Sequence, residues 1–87
     1  MSNSKNLNLA LYYFDGCPFC TVVRRAIDQL GLDVELRNTM TEPKYREELL
    51  EARKRGTVPV LKITNEQGSE TWMPESMDIV EYLRSLK

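Results

Sequence analysis

The period of the apolar positions changes several times along this chain, and each change marks an element. Leu9 to Phe14 is an unbroken apolar run, the pattern of a strand covered on both faces. Asp15-Gly16 interrupts it, and Pro18 then suits the first turn of a helix, where a missing N–H costs little. Val22, Val23, Ala26, Ile27 and Leu30 recur at helical spacing, with Arg24, Arg25, Asp28 and Gln29 on the outer side. Gly31 is the expected stop. Leu32 to Leu36 alternates as a short second strand, with Val34 and Leu36 on one face.

After the loop Asn38-Thr39-Met40-Thr41, either Thr41 or Glu42 caps a second helix, with Pro43 in its first turn. That helix runs to about Lys54 on a thin apolar face of Tyr45, Leu49, Leu50 and Ala52. Arg53-Lys54-Arg55 complements the dipole at its end, and Gly56 is expected to stop it. Thr57-Val58-Pro59 leads into a third strand, Val60 to Thr64. The turn sequence Asn65-Glu66-Gln67-Gly68 returns the chain as a hairpin strand from Ser69 to Met73. Pro74-Glu75-Ser76 opens a last helix whose Ile79, Val80, Leu83 and Leu86 face inward. The order is βαβαββα. It predicts an α/β fold in which one four-stranded mixed sheet is flanked by three helices.

With 87 residues the chain suffices for one small core. Residues 9–87 form the expected domain, and the polar segment from Met1 to Asn8, which lacks a signal peptide's apolar stretch, is expected to be a flexible tail. A net charge of −1, with both signs interspersed, gives no electrostatic reason to expect nucleic acid or an anionic membrane as partner. No apolar run approaches the roughly 20 residues of a bilayer span. A monomer in the cytoplasm is the expectation.

Chemistry concentrates at Cys17-Pro18-Phe19-Cys20, which holds the only two cysteines. Thiols this close cannot staple a secreted fold. Structural zinc wants four ligands, and the chain has neither a second CxxC nor any histidine, so no metal is expected. The lack of histidine also removes the usual base of a cysteine hydrolase. What remains is a redox dithiol at a strand-to-helix junction. Cys17, at the helix start, is the expected nucleophile, because unpaired N–H groups there favour a thiolate. Cys20 is the expected resolving thiol, more buried than Cys17. The plain alternative is a pair of small packed side chains.

Cys17-Pro18-Phe19-Cys20 and Gly56-Thr57-Val58-Pro59 resemble the redox segment and the proline turn of the glutaredoxin family, in the thioredoxin-like superfamily. The stretch from Trp72 to Leu83, with Glu75-Ser76, resembles glutathione transferase N-terminal domains and the larger bacterial glutaredoxins that share their shape. The resemblance covers residues 9–87 and departs from it twice. Pro74-Glu75 stands where glutaredoxins commonly have Gly-Gly, and Phe14-Asp15-Gly16 replaces a basic residue before the first cysteine.

The resemblance implies glutathione as reductant and cosubstrate. A cis Pro59 would let Val58 offer its backbone to the cysteinyl part of glutathione, beside Thr57. Ser76 would take the γ-glutamyl carboxylate, and Glu75 or Asp78 the ammonium. Arg53-Lys54-Arg55 would meet the glycine carboxylate, and Phe19 would give substrates an apolar contact. The bland counterparts are helix capping by Ser76 and a solvated helix end at the basic run. The expected function is a glutathione-dependent thiol–disulfide oxidoreductase acting on protein disulfides and protein–glutathione mixed disulfides. Alternatives are a redoxin driven by thioredoxin reductase, or a carrier of a glutathione-coordinated iron–sulfur cluster, which Pro18 argues against. A transferase is expected to need a second domain beyond Lys87 for its electrophile.

Overall fold

A computed structural model describes residues 7–86. The elements are β1 Asn8–Tyr13, α1 Pro18–Leu30, β2 Glu35–Asn38, α2 Pro43–Arg53, β3 Val60–Thr64, β4 Glu70–Met73 and α3 Ser76–Ser85. The order matches the expected βαβαββα. Leu7 packs against the core and Asn8 opens β1. Residues 1–6 of the expected tail, and Lys87, lie outside the described residues.

The sheet order is β2-β1-β3-β4. β1 pairs parallel with β2, Ala10 opposite Glu35, and antiparallel with β3, Leu11 opposite Leu61. β3 pairs antiparallel with β4, Leu61 opposite Met73. Because side chains alternate along a strand, β1 serves two cores. Leu9, Leu11 and Tyr13 join Val23, Ile27, Ile79 and Leu83 from α1 and α3. Ala10 and Tyr12 join Leu49 and Val60 under α2. Burial on both faces is why β1 reads as a continuous apolar run.

α1 stops where the sequence indicates. Gly31 takes a left-handed conformation at φ 66°, and its N–H reaches the Asp28 carbonyl at 3.2 Å. Leu32 N–H closes the same end on Ile27 O at 3.2 Å, and Leu32 is buried there. That use of Leu32 delays β2 to Glu35, and Leu36 is exposed on the edge strand. α2 runs to Arg53, close to the expected end, but the residue that stops it is Lys54 and not Gly56. Lys54 adopts φ 63°, and its N–H bonds to Leu50 O at 2.8 Å, which offsets the cost of a left-handed non-glycine residue.

α2 rests on little apolar surface. Leu49 is its one buried residue, with Tyr45 and Leu50 half-buried and Ala52 exposed. A polar clasp supplements it. The Tyr12 hydroxyl donates to Glu48 Oε1 at 2.7 Å, while Arg37 Nη1 donates to the Tyr12 hydroxyl oxygen at 2.6 Å and to Glu48 Oε1 at 3.1 Å. Arg37 Nη2 reaches Glu35 Oε1 at 3.1 Å. The Tyr12 ring meets Tyr45 edge-on at 6.4 Å and Trp72 at 5.5 Å. Burial first, and the bond to Glu48 second, push the Tyr12 hydroxyl from 10.0 up to about 12.

Two outcomes follow. Leu49→Ala should cost about 2–5 kcal/mol, read as a lower urea midpoint, because it empties the one fully buried apolar position of α2. A loss under about 1 kcal/mol would show the polar clasp to be sufficient alone. Tyr12 carries the second. Its phenol is neutral in both states below its ordinary value of 10.0, so its contribution is complete there. Above that value the unfolded chain ionises first, and stability falls as pH rises towards about 12. Urea midpoints across that window should drop for the wild type and flatten in Tyr12→Phe; equal slopes would refute the assignment.

Candidate functional site

β1 delivers the chain to the site and the turn after it fixes the first cysteine. Cys17 N–H bonds to Phe14 O at 3.3 Å, and Cys17 itself is the N-cap of α1, at φ −94° and ψ 115°. Its Sγ accepts the Cys20 N–H at 3.3 Å, the bond that a serine or aspartate oxygen usually accepts at this position. Pro18 occupies the first helical position and has no N–H to leave unpaired. Thr21 Oγ1 donates to Cys17 O at 3.2 Å, which ties the cap residue to the next turn.

Both cysteines are free and not bridged to each other. Cys17 is 7% exposed and Cys20 1%, so the second thiol is the more buried, as expected. Burial, with the hydrogen bond to Cys17 next, pushes the Cys20 thiol well above its ordinary range. Across from the pair lies the segment before β3. The Cys17 thiol points at Val58 O, 4.0 Å away, and the Val58-Pro59 peptide is cis.

A cleft of about 360 Å³ opens beside these groups. Phe19 lines it from the start of α1, and Thr57, Val58 and Pro59 line it from the segment before β3. Pro74, Glu75 and Ser76 come from the start of α3, and Arg53 and Arg55 from the end of α2. The six residues expected to bind a ligand, Phe19, Thr57, Val58, Pro59, Glu75 and Ser76, therefore meet in one cavity. Cys17 and Cys20 are not among the lining residues; Cys17 Sγ lies 4.0 Å from the carbonyl of Val58, which is. Phe19 is 62% exposed, a large apolar side chain displayed rather than packed. Asp78 and Lys54 are not among the lining residues.

Three details differ from the sequence reading. Ser76 is the first residue of α3 and not its cap; Glu75 holds the N-cap position and makes no side-chain capping bond. The first amide groups of α3 thus keep their donor capacity where the helix meets the cleft. Within the basic run, the left-handed Lys54 separates its neighbours, and only Arg53 and Arg55 line the cavity. Pro74 contributes to the wall, at the position where the chain departs from the glutaredoxin pattern. Two guanidinium groups and one carboxylate with a helix start suit an extended zwitterionic peptide. Among the described residues no group of three or more His, Cys, Asp and Glu side chains is placed to hold a metal ion. No helix among them is long and apolar enough to cross a membrane.

Comparison with known proteins agrees with this fold. Residues 11–87 match the family described as glutathione S-transferase, N-terminal domain. Glutaredoxin 2 of Escherichia coli is 31% identical over 78 residues, 90% of this chain and 34% of that protein. The chain thus spans about a third of the length of the curated relatives it matches. Among solved structures, Glutaredoxin 2 of Salmonella typhimurium in complex with glutathione is 29% identical with a TM-score of 0.69, over 90% of this chain and 33% of that one. Maleylacetoacetate isomerase of Anaeromyxobacter dehalogenans, with glutathione in its active site, is 26% identical with a TM-score of 0.70, over 94% and 38%. The chain belongs to the glutathione S-transferase N-terminal domain family, in the thioredoxin-like fold that these glutaredoxin and transferase relatives share.

Proposed function

We propose that this domain is a glutathione-dependent thiol–disulfide oxidoreductase of the dithiol glutaredoxin type. The observation that carries the reading is Cys17, a helix-capping sulfur 4.0 Å from Val58 O, beside a peptide-sized cleft and with a second thiol one turn behind it. The relationship to Glutaredoxin 2 supports the same reading. A reducing compartment such as the cytoplasm suits it, as does action by single copies on protein disulfides and glutathionylated proteins.

In the proposed reaction the Cys17 thiolate attacks the glutathione sulfur of a protein–glutathione mixed disulfide. The protein thiolate leaves and is protonated, and glutathione stays joined to Cys17. A second glutathione thiolate then displaces Cys17, forming glutathione disulfide. On a protein disulfide, Cys17 first bonds to one sulfur as the other leaves as a thiolate. Cys20 then attacks Cys17 Sγ, forming the Cys17–Cys20 disulfide and releasing the second protein thiolate. Two glutathione molecules reduce that disulfide and leave as glutathione disulfide. Glutathione is held by the cleft: Val58 pairs with its cysteinyl backbone and Thr57 and Pro59 shape the wall. Ser76 and the start of α3 take its γ-glutamyl carboxylate, with Glu75 near its ammonium. Arg53 and Arg55 take its glycine carboxylate, and Phe19 meets the protein substrate.

The family match and the isomerase neighbour favour a second reading, the glutathione-binding part of a transferase-type enzyme. Cys20 discriminates the two, because a transferase has no use for a resolving thiol.

With glutathione, glutathione reductase and NADPH, the protein should turn over a small mixed disulfide. Cys17→Ser should abolish this turnover, whereas Cys20→Ser should keep it and lose reduction of protein disulfides. No turnover, or turnover only with thioredoxin reductase, would reject the proposal. Substituting both Arg53 and Arg55 with glutamine should raise the KM for glutathione by about tenfold or more, the loss of one charge-assisted bond. Glutathione esterified at its glycine should feel this change far less. An equal effect on both would exclude the glycine-end role of the two arginines.

A further inference from the structure

A charged cluster outside the cleft has no part in the steps above. Asp15, in the turn after β1, is bonded from two elements at once. Arg24 Nη1 donates to its Oδ1 at 3.2 Å, and Asn38 Nδ2 donates to its Oδ2 at 3.2 Å. Asn38 is pinned in turn, since its Oδ1 accepts the Met40 and Thr41 N–H groups at 2.9 and 3.1 Å. The Arg24 guanidinium lies over the Tyr13 ring, 4.7 Å from its centre. Arg24 stands one helical turn beyond Cys20 on α1, so the two side chains share a flank of the helix.

As a stabilising contact this arrangement is weak. The Arg24 and Asp15 side chains are 39% and 72% exposed, and such a surface pair contributes about 0–1 kcal/mol. Its position is the informative part. Cys20 is 1% exposed and must lose a proton inside the fold before it can attack. Burial and the Cys17 sulfur oppose that loss, while the Phe14 backbone and the charge of Arg24 assist it.

We propose that Asp15 and Arg24 set the speed of the resolving step: Arg24 supplies positive charge to the Cys20 thiolate, and Asp15, anchored by Asn38, withholds part of it. Both are positioning residues, since neither touches the reacting sulfurs. The inference rests on the dithiol reading above. In the step concerned, Cys20 gives its proton to solvent and attacks Cys17 Sγ in the Cys17–glutathione disulfide. The Cys17–Cys20 bond forms as the Cys17–glutathione bond breaks. Glutathione leaves as a thiolate with the electron pair and takes a proton from solvent.

The step can be timed by mixing reduced protein with glutathione disulfide, quenching in acid and weighing the products by mass spectrometry. The Cys17–glutathione adduct and the Cys17–Cys20 disulfide are then resolved separately. Arg24→Gln should slow conversion of the first into the second by about threefold or more, and Asp15→Asn should speed it by a similar factor. Arg24→Lys should restore most of the rate. In the Arg24→Gln background, Asp15→Asn should add nothing, because its effect passes through Arg24. A structural role for the pair predicts shifts of the same sign for both partners. Same-sign shifts, no shifts, or an Asp15→Asn gain that survives without Arg24 would overturn the inference while leaving the dithiol reading standing. Failure of the wild type to pass from adduct to internal disulfide would overturn both.

Discussion

A strand paired along both edges and covered on both faces has only its ends free, and β1 places Cys17 just beyond one of them. Leu9, Leu11 and Tyr13 are held by α1 and α3, and Ala10 and Tyr12 by α2, so β1 cannot shift without disturbing both cores. The chain leaves it through a turn closed by the Cys17 N–H bond to Phe14 O. Rigidity upstream is thereby passed to a sulfur whose own geometry is set downstream, by the Cys20 N–H that it accepts. Everything facing the cleft is positioned relative to that fixed point.

The cleft's walls are unequal in firmness. α3, which brings Glu75 and Ser76, is anchored by Ile79, Val80 and Leu83 in the larger core. α2, which brings Arg53 and Arg55, depends on Leu49 and on the bonds among Tyr12, Arg37 and Glu48. A wall held by one fully buried side chain and a polar clasp opens more readily than one held by three.

What the sequence makes legible is what local physics decides alone. The apolar run of β1, the left-handed Gly31, and Cys17 at a helix start before Pro18 each follow from patterns within a few residues. The cleft residues were legible because a dithiol segment, a proline turn and a Glu-Ser helix start resemble a known family in their order. Places where distant elements compete were not legible. Leu32 fits a strand by alternation, yet closing α1 on Ile27 O takes it first, and β2 starts late. Gly56 is the residue that favours a left-handed turn, but Lys54 adopts that conformation because its N–H finds Leu50 O. Ser76 is a good cap by type and is displaced from the role by Glu75, one position earlier. Bonds from Tyr12 to Glu48 and from Asp15 to Asn38 join residues 36 and 23 positions apart, and no periodicity encodes them.

A capping sulfur does two jobs that pull in one direction. As cap of α1, Cys17 satisfies the Cys20 N–H, and that bond is stronger to a charged sulfur than to a neutral one. When the sulfur enters a disulfide it becomes a poorer acceptor, so the helix start loses part of a bond that the reduced form keeps. In the proposed reaction this difference favours release of Cys17 as a thiolate in the closing exchange, because leaving restores the cap. Cys20 is in the opposite position. It is buried, pushed up by that burial, and tied by its own backbone to the sulfur it must attack. The two thiols share one helical turn but not one environment, and in the proposed reaction that asymmetry separates the nucleophile from the resolver.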